Sequence, residues 1–335
     1  MTTILYIGNK LSKHGFSLSS IETLGSLLEK NNFNLEYSSD KKNKILRLFD
    51  MMISVIKNKK NVDYVLIDTY SSSNFYYALI ISQICRLLKL KYIPCLHGGN
   101  LPLRIKKSPF FSSLIFKNSY INIAPSNYFY NYFKDQNYAV KCIPNAIKID
   151  NYFFKKRPVL KPNILWVRSL HDIYNPKMAI DVLVELKKTY KDAKLCMIGP
   201  EKNVSFKEMV DYAKLKHVEV ELTGHLEKTE WIVHSEKFDI FINTTNIDNT
   251  PVSVIEAMAL GLAVVSTNVG GIPHLFQNKT NILLVEKDQT KEMTINIEKL
   301  LTDHDLYHQL THHARALVEK FDEKEIAKLW IEVLK

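Results

Sequence analysis

The stretch 239–276, DIFINTTNIDNTPVSVIEAMALGLAVVSTNVGGIPHLF, constrains the fold more than any other. It runs from a buried apolar strand (239–243) through a polar loop (244–250) into a helix of small apolar residues (252–260). A second buried strand (263–267) and a glycine turn follow, which together make one βαβ unit with parallel strands. Thr250 is the expected N-cap and Pro251 the expected first helical residue, because proline fixes φ and its missing N–H would be an orphan there anyway. The loop thus lies at the carboxyl end of a strand and at the amino end of a helix, where open α/β sheets bind ligands. The amides of Val252 and Ser253, together with the positive end of the helix dipole, suit an anion and above all a phosphate. Glu256 sits one turn further on among Val254, Ile255, Ala257 and Met258. It is either a solvated helix acid or a bidentate acceptor for a vicinal diol such as ribose.

Asp248 and Glu256 are spaced as the two acids of an E-x7-E signature, and the stretch resembles the donor-binding segment of glycosyltransferase family 4. The resemblance implies an α/β protein of the GT-B fold, with two Rossmann-like doubly wound domains facing a central cleft. It gives Glu256 the nucleotide ribose and Asp248 the donor sugar near its C3 hydroxyl. This chain departs from the pattern in having Asp at the first acid and Asp248-Asn249-Thr250-Pro251 in place of the usual E-G-x-G/P run.

The segment 164–202, ILWVRSLHDIYNPKMAIDVLVELKKTYKDAKLCMIGPEK, resembles the family's strand ending in G-R, then a lysine, a helix and a strand ending in a G-P turn. Arg168 matches the arginine that holds the departing diphosphate, where a planar fork fits phosphate oxygens. Tyr174 stands about where the family's lysine belongs, and Lys177 lies one helical turn on. Gly224-His225 ends a strand where the family closes over the base; His225 is equally suited to cap the next helix. His97, at a strand end beside Gly98 and Gly99, takes the family's contact with the far hydroxyls of the donor sugar. Gly15 falls in a loop that the family places near acceptor or donor phosphates; by itself it is equally a turn residue. The opening lacks a full G-x-G-x-x-G fingerprint, which argues against a dinucleotide cofactor.

With 335 residues the chain is long enough for two domains. The expected division is 1–150 for an acceptor domain, a linker over 150–162, 163–321 for a donor domain, and a terminal helix at 322–335 that packs back on the first domain through Leu329 and Trp330. No apolar run is long enough to span a membrane, and the amino terminus enters a strand without a signal-like region, so a cytoplasmic protein is expected, with peripheral contact at the anionic inner membrane surface left open. Cys85, Cys95, Cys142 and Cys196 lie far apart, as reduced core thiols do. Of the net charge of +10, residues 1–155 carry +12 and residues 156–335 carry −2. A basic half suits nucleic acid, an anionic membrane surface or an anionic substrate, but no nucleic-acid motif accompanies it. Helix 44–57 carries Leu46, Phe49, Ile53 and Ile56 on one face, a stripe expected to face the core, with a membrane role as the minority reading. Lys106, Lys107, Phe110, Phe111 and Phe116 form a basic and aromatic patch suited to an acceptor, a membrane surface or simple core anchoring.

The expected function is therefore retaining transfer of a sugar from a nucleoside diphosphate sugar to a glycan, lipid-linked or small acceptor, without metal or other cofactor. A sugar-nucleotide epimerase of the same fold and a non-catalytic sugar-nucleotide binder are the alternatives.

Overall fold

The computed structural model describes residues 1–14 and 19–335. Two compact units divide the chain, one made of Met1–Ala146 with Glu323–Lys335, the other of Ile147–Asp322.

The first unit is built on six parallel strands: β1 Thr3–Ile7, β2 Asn34–Ser38, β3 Tyr64–Thr69, β4 Lys91–Leu96, β5 Asn122–Ala124 and β6 Val140–Cys142. Their order is β2-β1-β3-β4-β5-β6. β3 is buried along its whole length, as expected of a parallel strand covered on both faces. Helices Lys44–Asn58, Asn74–Leu87, Leu101–Lys107, Pro109–Phe116 and Asn127–Asp135 cover one face, with Met51, Phe75, Ile81 and Phe116 in that core. Helices Ser20–Lys30 and Glu323–Leu334 cover the other, where Trp330 is buried and Leu329 partly so.

The second unit repeats the plan with β7 Asn163–Val167, β8 Lys194–Ile198, β9 Glu221–Gly224, β10 Ile240–Asn243, β11 Ala263–Thr267 and β12 Leu283–Val285. Its order is β12-β11-β10-β7-β8-β9. All pairs are parallel, and Ile240 of β10 faces Ala263 of β11 as the βαβ reading requires. Helices Pro176–Thr189, Phe206–Leu215 and Thr290–Thr302 lie on one face. Lys228–Ser235 and Val252–Ala259 lie on the other. The chain reverses direction across the sheet between β7 and β10, and that pair marks the switch point.

Three expectations need correction. Residues 150–162 are not a free linker: Tyr152, Arg157 and Leu160 are buried in the second unit. The Arg157 guanidinium donates to the carbonyls of Phe238, Leu260 and Gly261 at 2.8–3.2 Å. The stripe on helix Lys44–Asn58 does not face the core, because Met51 and Val55 of the opposite side pack on the sheet and leave Leu46, Phe49, Ile53 and Ile56 about half exposed or more. The N-cap of helix Val252–Ala259 is Pro251, not Thr250, since a ψ of 93° keeps the proline outside the helix. All four cysteines are free thiols, and Cys85, Cys95 and Cys196 are buried. No helix among the described residues is long and apolar enough to cross a membrane.

Candidate active site

Arg168 is the first residue after β7, and the loop 244–250 follows β10, so both emerge at the carboxyl ends of the switch-point strands. The Arg168 Nη2 donates to Asp248 Oδ2 at 2.5 Å, and its Nε to Asn243 Oδ1 at 3.4 Å. Both partners of the ion pair are mostly buried, with side chains 13% and 14% exposed. The Tyr174 ring lies under the guanidinium, 4.9 Å from centroid to Cζ. Tyr174 thus supplies a cation–π contact to the arginine.

The two loops are laced together by short side chains. Thr244 Oγ1 accepts from Trp166 Nε1 at 3.0 Å and donates to the Tyr174 carbonyl at 2.8 Å. Thr245 Oγ1 and the Asn246 amide both donate to the Ile173 carbonyl. From the other side the glycine turn closes in: the Gly271 amide donates to the Asp248 carbonyl at 2.8 Å. A Cβ on Gly270 would lie 2.1 Å from the Asp248 oxygen, and one on Gly271 2.0 Å from the Asn249 oxygen. Only glycine allows that approach.

In helix Val252–Ala259 the first amides to find an acceptor are those of Val254 and Ile255, both on the Pro251 carbonyl. The amides of Val252 and Ser253 precede them, where a helix start is able to receive an anion. The Ser253 Oγ is buried without a hydrogen-bond partner among the described residues.

Glu256 is 4% exposed, which removes the solvated-helix reading. Its Oε1 accepts from Tyr152 Oη at 2.7 Å and from Lys228 Nζ at 2.5 Å. Burial, and then the charge of Glu256, push the Tyr152 hydroxyl well above its ordinary pKa, so it stays a donor. Lys228 and Tyr152 were not identified from the sequence. The signal that pointed toward them was indirect, since a carboxylate in an apolar helix needs a cation or donor from elsewhere in the chain.

The remaining sequence-derived candidates make other contacts. Lys177 places its ammonium 5.5 Å from the Tyr212 ring centroid and beside Glu208. Gly224 ends β9 with φ +75°, and its carbonyl accepts from the Gly199 amide at 2.8 Å. His225 is half exposed and faces Glu227 at 3.4 Å. Gly15 lies outside the described residues. His97 belongs to the first unit, where its Nε2 bonds the buried Asp68 Oδ1 at 2.8 Å and its ring stacks on Tyr70. The Tyr6 hydroxyl donates to the same Asp68 oxygen. Among the described residues, Cys196, Glu221 and His234 form a group with metal-ligand chemistry, their ligand atoms within 4.8 Å of one another. The His234 Nε2 is 3.5 Å from the Cys196 Sγ and 3.2 Å from Glu221 Oε1, contacts that hydrogen bonding already accounts for.

Residues 148–317 match the family described as glycosyl transferases group 1. An uncharacterized glycosyltransferase of Haemophilus influenzae is 26% identical over 204 residues, covering 60% of this chain and 56% of that protein. The chain therefore aligns with little more than half the length of that relative. Among solved structures, Anabaena HepE in complex with UDP-glucose superposes with a TM-score of 0.76 at 16% identity, covering 100% of this chain and 99% of that one. Sucrose-phosphate synthase from Thermosynechococcus elongatus gives 0.78 at 13% identity, covering 99% and 98%. At such identities the likeness is one of fold, two parallel six-stranded sheets of the GT-B type. By the match of its second unit, the chain belongs to the glycosyl transferases group 1 family.

Proposed function

We propose that this chain transfers a sugar from a nucleoside diphosphate sugar, with retention of anomeric configuration and without a metal ion. The observation that carries the reading is the Arg168–Asp248 pair at the carboxyl ends of β7 and β10, beside the start of helix Val252–Ala259. A guanidinium fork next to helix-start amides suits a diphosphate, and a carboxylate next to that fork suits sugar hydroxyls. Glu256, fixed by Tyr152 and Lys228, would accept from the ribose diol.

Such a site needs no side-chain nucleophile. The leaving diphosphate oxygen takes the acceptor hydroxyl's proton on the face from which the sugar departs, as the new glycosidic bond forms and the anomeric C–O bond breaks. Arg168 and the amides of Val252 and Ser253 stabilise the charge that develops, an effect worth about 3–4 kcal/mol per key donor. Asp248 and Glu256 each face a cation of the chain itself, which suits metal-free chemistry. We take the acceptor to be a glycan or lipid-linked carrier of cell-surface polysaccharide synthesis, handled at the inner face of the membrane.

The test is a thermal-shift panel of UDP-, GDP- and ADP-sugars, since a ligand at about 100 times its Kd stabilises by about 2.7 kcal/mol. One nucleotide class should raise Tm clearly above the others. A flat panel overturns the donor-site reading, and conversion of the donor sugar without any acceptor present would favour an epimerase.

A further inference from the structure

We propose that the helix layer bearing Lys44–Asn58 docks on an anionic lipid bilayer. That helix has two apolar sides. Met51 and Val55 pack on the sheet, whereas Ile45, Leu46, Phe49, Ile53 and Ile56 are 49–67% exposed. At about 100° per residue these five fall within an arc of roughly 100°, a continuous stripe and not scattered surface residues. A stripe of that width on the outside of a folded unit marks an interaction surface.

The charges around it identify the partner. Lys41, Lys42, Lys44, Lys57, Lys59 and Lys60 flank the stripe, and all six are exposed. Helix Asn74–Leu87 packs against both this helix and Pro109–Phe116, so a second apolar group, Leu103, Phe110 and Phe111, belongs to the same layer beside Lys106 and Lys107. Across segments 41–62, 74–92 and 101–118 the sequence has fourteen lysines and arginines and a single acid, Asp50; of the two acids at the borders of the first segment, Asp40 pairs with Lys13 and Lys41 and Asp63 accepts from the Thr3 amide. Asp50 is half-buried and accepts from the Ser38 hydroxyl.

A protein partner with a mixed-charge surface would call for interspersed acids. Apolar side chains ringed by lysines match a bilayer, where the stripe enters the acyl boundary and the ammonium groups meet lipid phosphates. The inference does not depend on the donor-site reading, because the patch lies wholly in the first unit and binding is measured without nucleotide.

The experiment is vesicle co-sedimentation of the full chain, with phosphatidylcholine alone and with phosphatidylcholine mixed with phosphatidylglycerol. The wild type should partition at least about tenfold more strongly onto the anionic vesicles, and salt should weaken the binding. Phe49→Glu with Ile53→Glu should reduce partitioning about tenfold or more while leaving Tm in place, since both side chains face solvent. Lys57→Ser, Lys59→Ser and Lys60→Ser together should reduce the preference for phosphatidylglycerol. Equal partitioning of wild type and the double glutamate variant overturns the proposal, as does a wild type that stays in the supernatant with anionic vesicles. A concentration-dependent dimer that the glutamates dissolve would also overturn it, by showing that a second copy covers the stripe.

Discussion

Truncating Glu256 tests whether the second acid is held as its contacts require. In Glu256→Ala the 2%-exposed Tyr152 loses the acceptor 2.7 Å from its hydroxyl. A buried unpaired hydroxyl costs about 1–3 kcal/mol, and the lost methylene adds about 0.8 kcal/mol. Lys228, whose side chain is 52% exposed, turns to water at little cost. The sum, about 2–4 kcal/mol, should lower the Tm of the second unit by roughly 5–15 °C, as seen by scanning calorimetry. Tyr152→Phe supplies the diagnostic comparison. In the wild type it removes a hydrogen bond to a charged group, worth about 1.5–3 kcal/mol, whereas in the Ala background it removes an orphan and costs little or nothing. Equal costs in the two backgrounds would refute the pairing. Glu256→Gln keeps an acceptor for Tyr152, so it isolates ligand effects from stability. If Glu256 holds the ribose, this variant should raise the Kd for the nucleoside diphosphate about 10- to 150-fold, the equivalent of 1.5–3 kcal/mol.

Asp248→Asn should leave binding of the free diphosphate unchanged or tighter, since a carboxylate 2.5 Å from the Arg168 fork is removed, while turnover falls; titration of diphosphate with lost binding would contradict the assignment. Gly271→Ala places a Cβ 2.0 Å from the Asn249 carbonyl oxygen, so it should displace the 244–250 loop and reduce both Tm and donor-induced stabilisation; an unchanged thermal shift with donor would show that the loop does not shape the site. Burial pushes the Cys85 thiol up to about 12 and the Cys142 thiol up to about 11. At pH 8 alkylation of Cys142 in the folded chain should therefore be about two orders of magnitude slower than in urea-unfolded chain. Because these acids have raised folded pKa values, the stability they contribute is complete below about 8.5, the unfolded value, and declines as pH rises through 11–12.

The strands and helices most legible in the sequence were those with both faces buried and clear punctuation at their ends. β10, helix Val252–Ala259 and β11 are such a case, bounded by Pro251 and Gly261. Helix Phe206–Leu215 and the bounds of Lys228–Ser235 are not legible, because both are short, with only Met209 and Ala213 buried in the first and Trp231 and Ser235 in the second. The orientation of helix Lys44–Asn58 was not legible because it is apolar on two sides, and periodicity does not say which side meets the sheet. Arg168 and Asp248 were each visible locally, from a strand end and a loop. Their contact, across 80 residues of sequence, was not. The Tyr152–Glu256 bond spans 104 residues, and Tyr152 lay in a stretch whose proline and charges looked like a linker.

The most direct test of the donor site compares the nucleoside diphosphate that the panel selects with the corresponding monophosphate, in wild type and in Arg168→Ala. The free diphosphate carries the charge that the leaving group develops, so Arg168 should show its full effect there. The wild type should prefer diphosphate about tenfold or more, the scale of one charge-assisted hydrogen bond of at least 1.5 kcal/mol. Arg168→Ala should abolish most of that preference and lower kcat about 10²–10³-fold, and Arg168→Lys should restore only part, since a point charge lacks the fork. A preference for diphosphate that survives intact in Arg168→Ala would show that Arg168 serves only to pair with Asp248 and that the phosphates bind elsewhere.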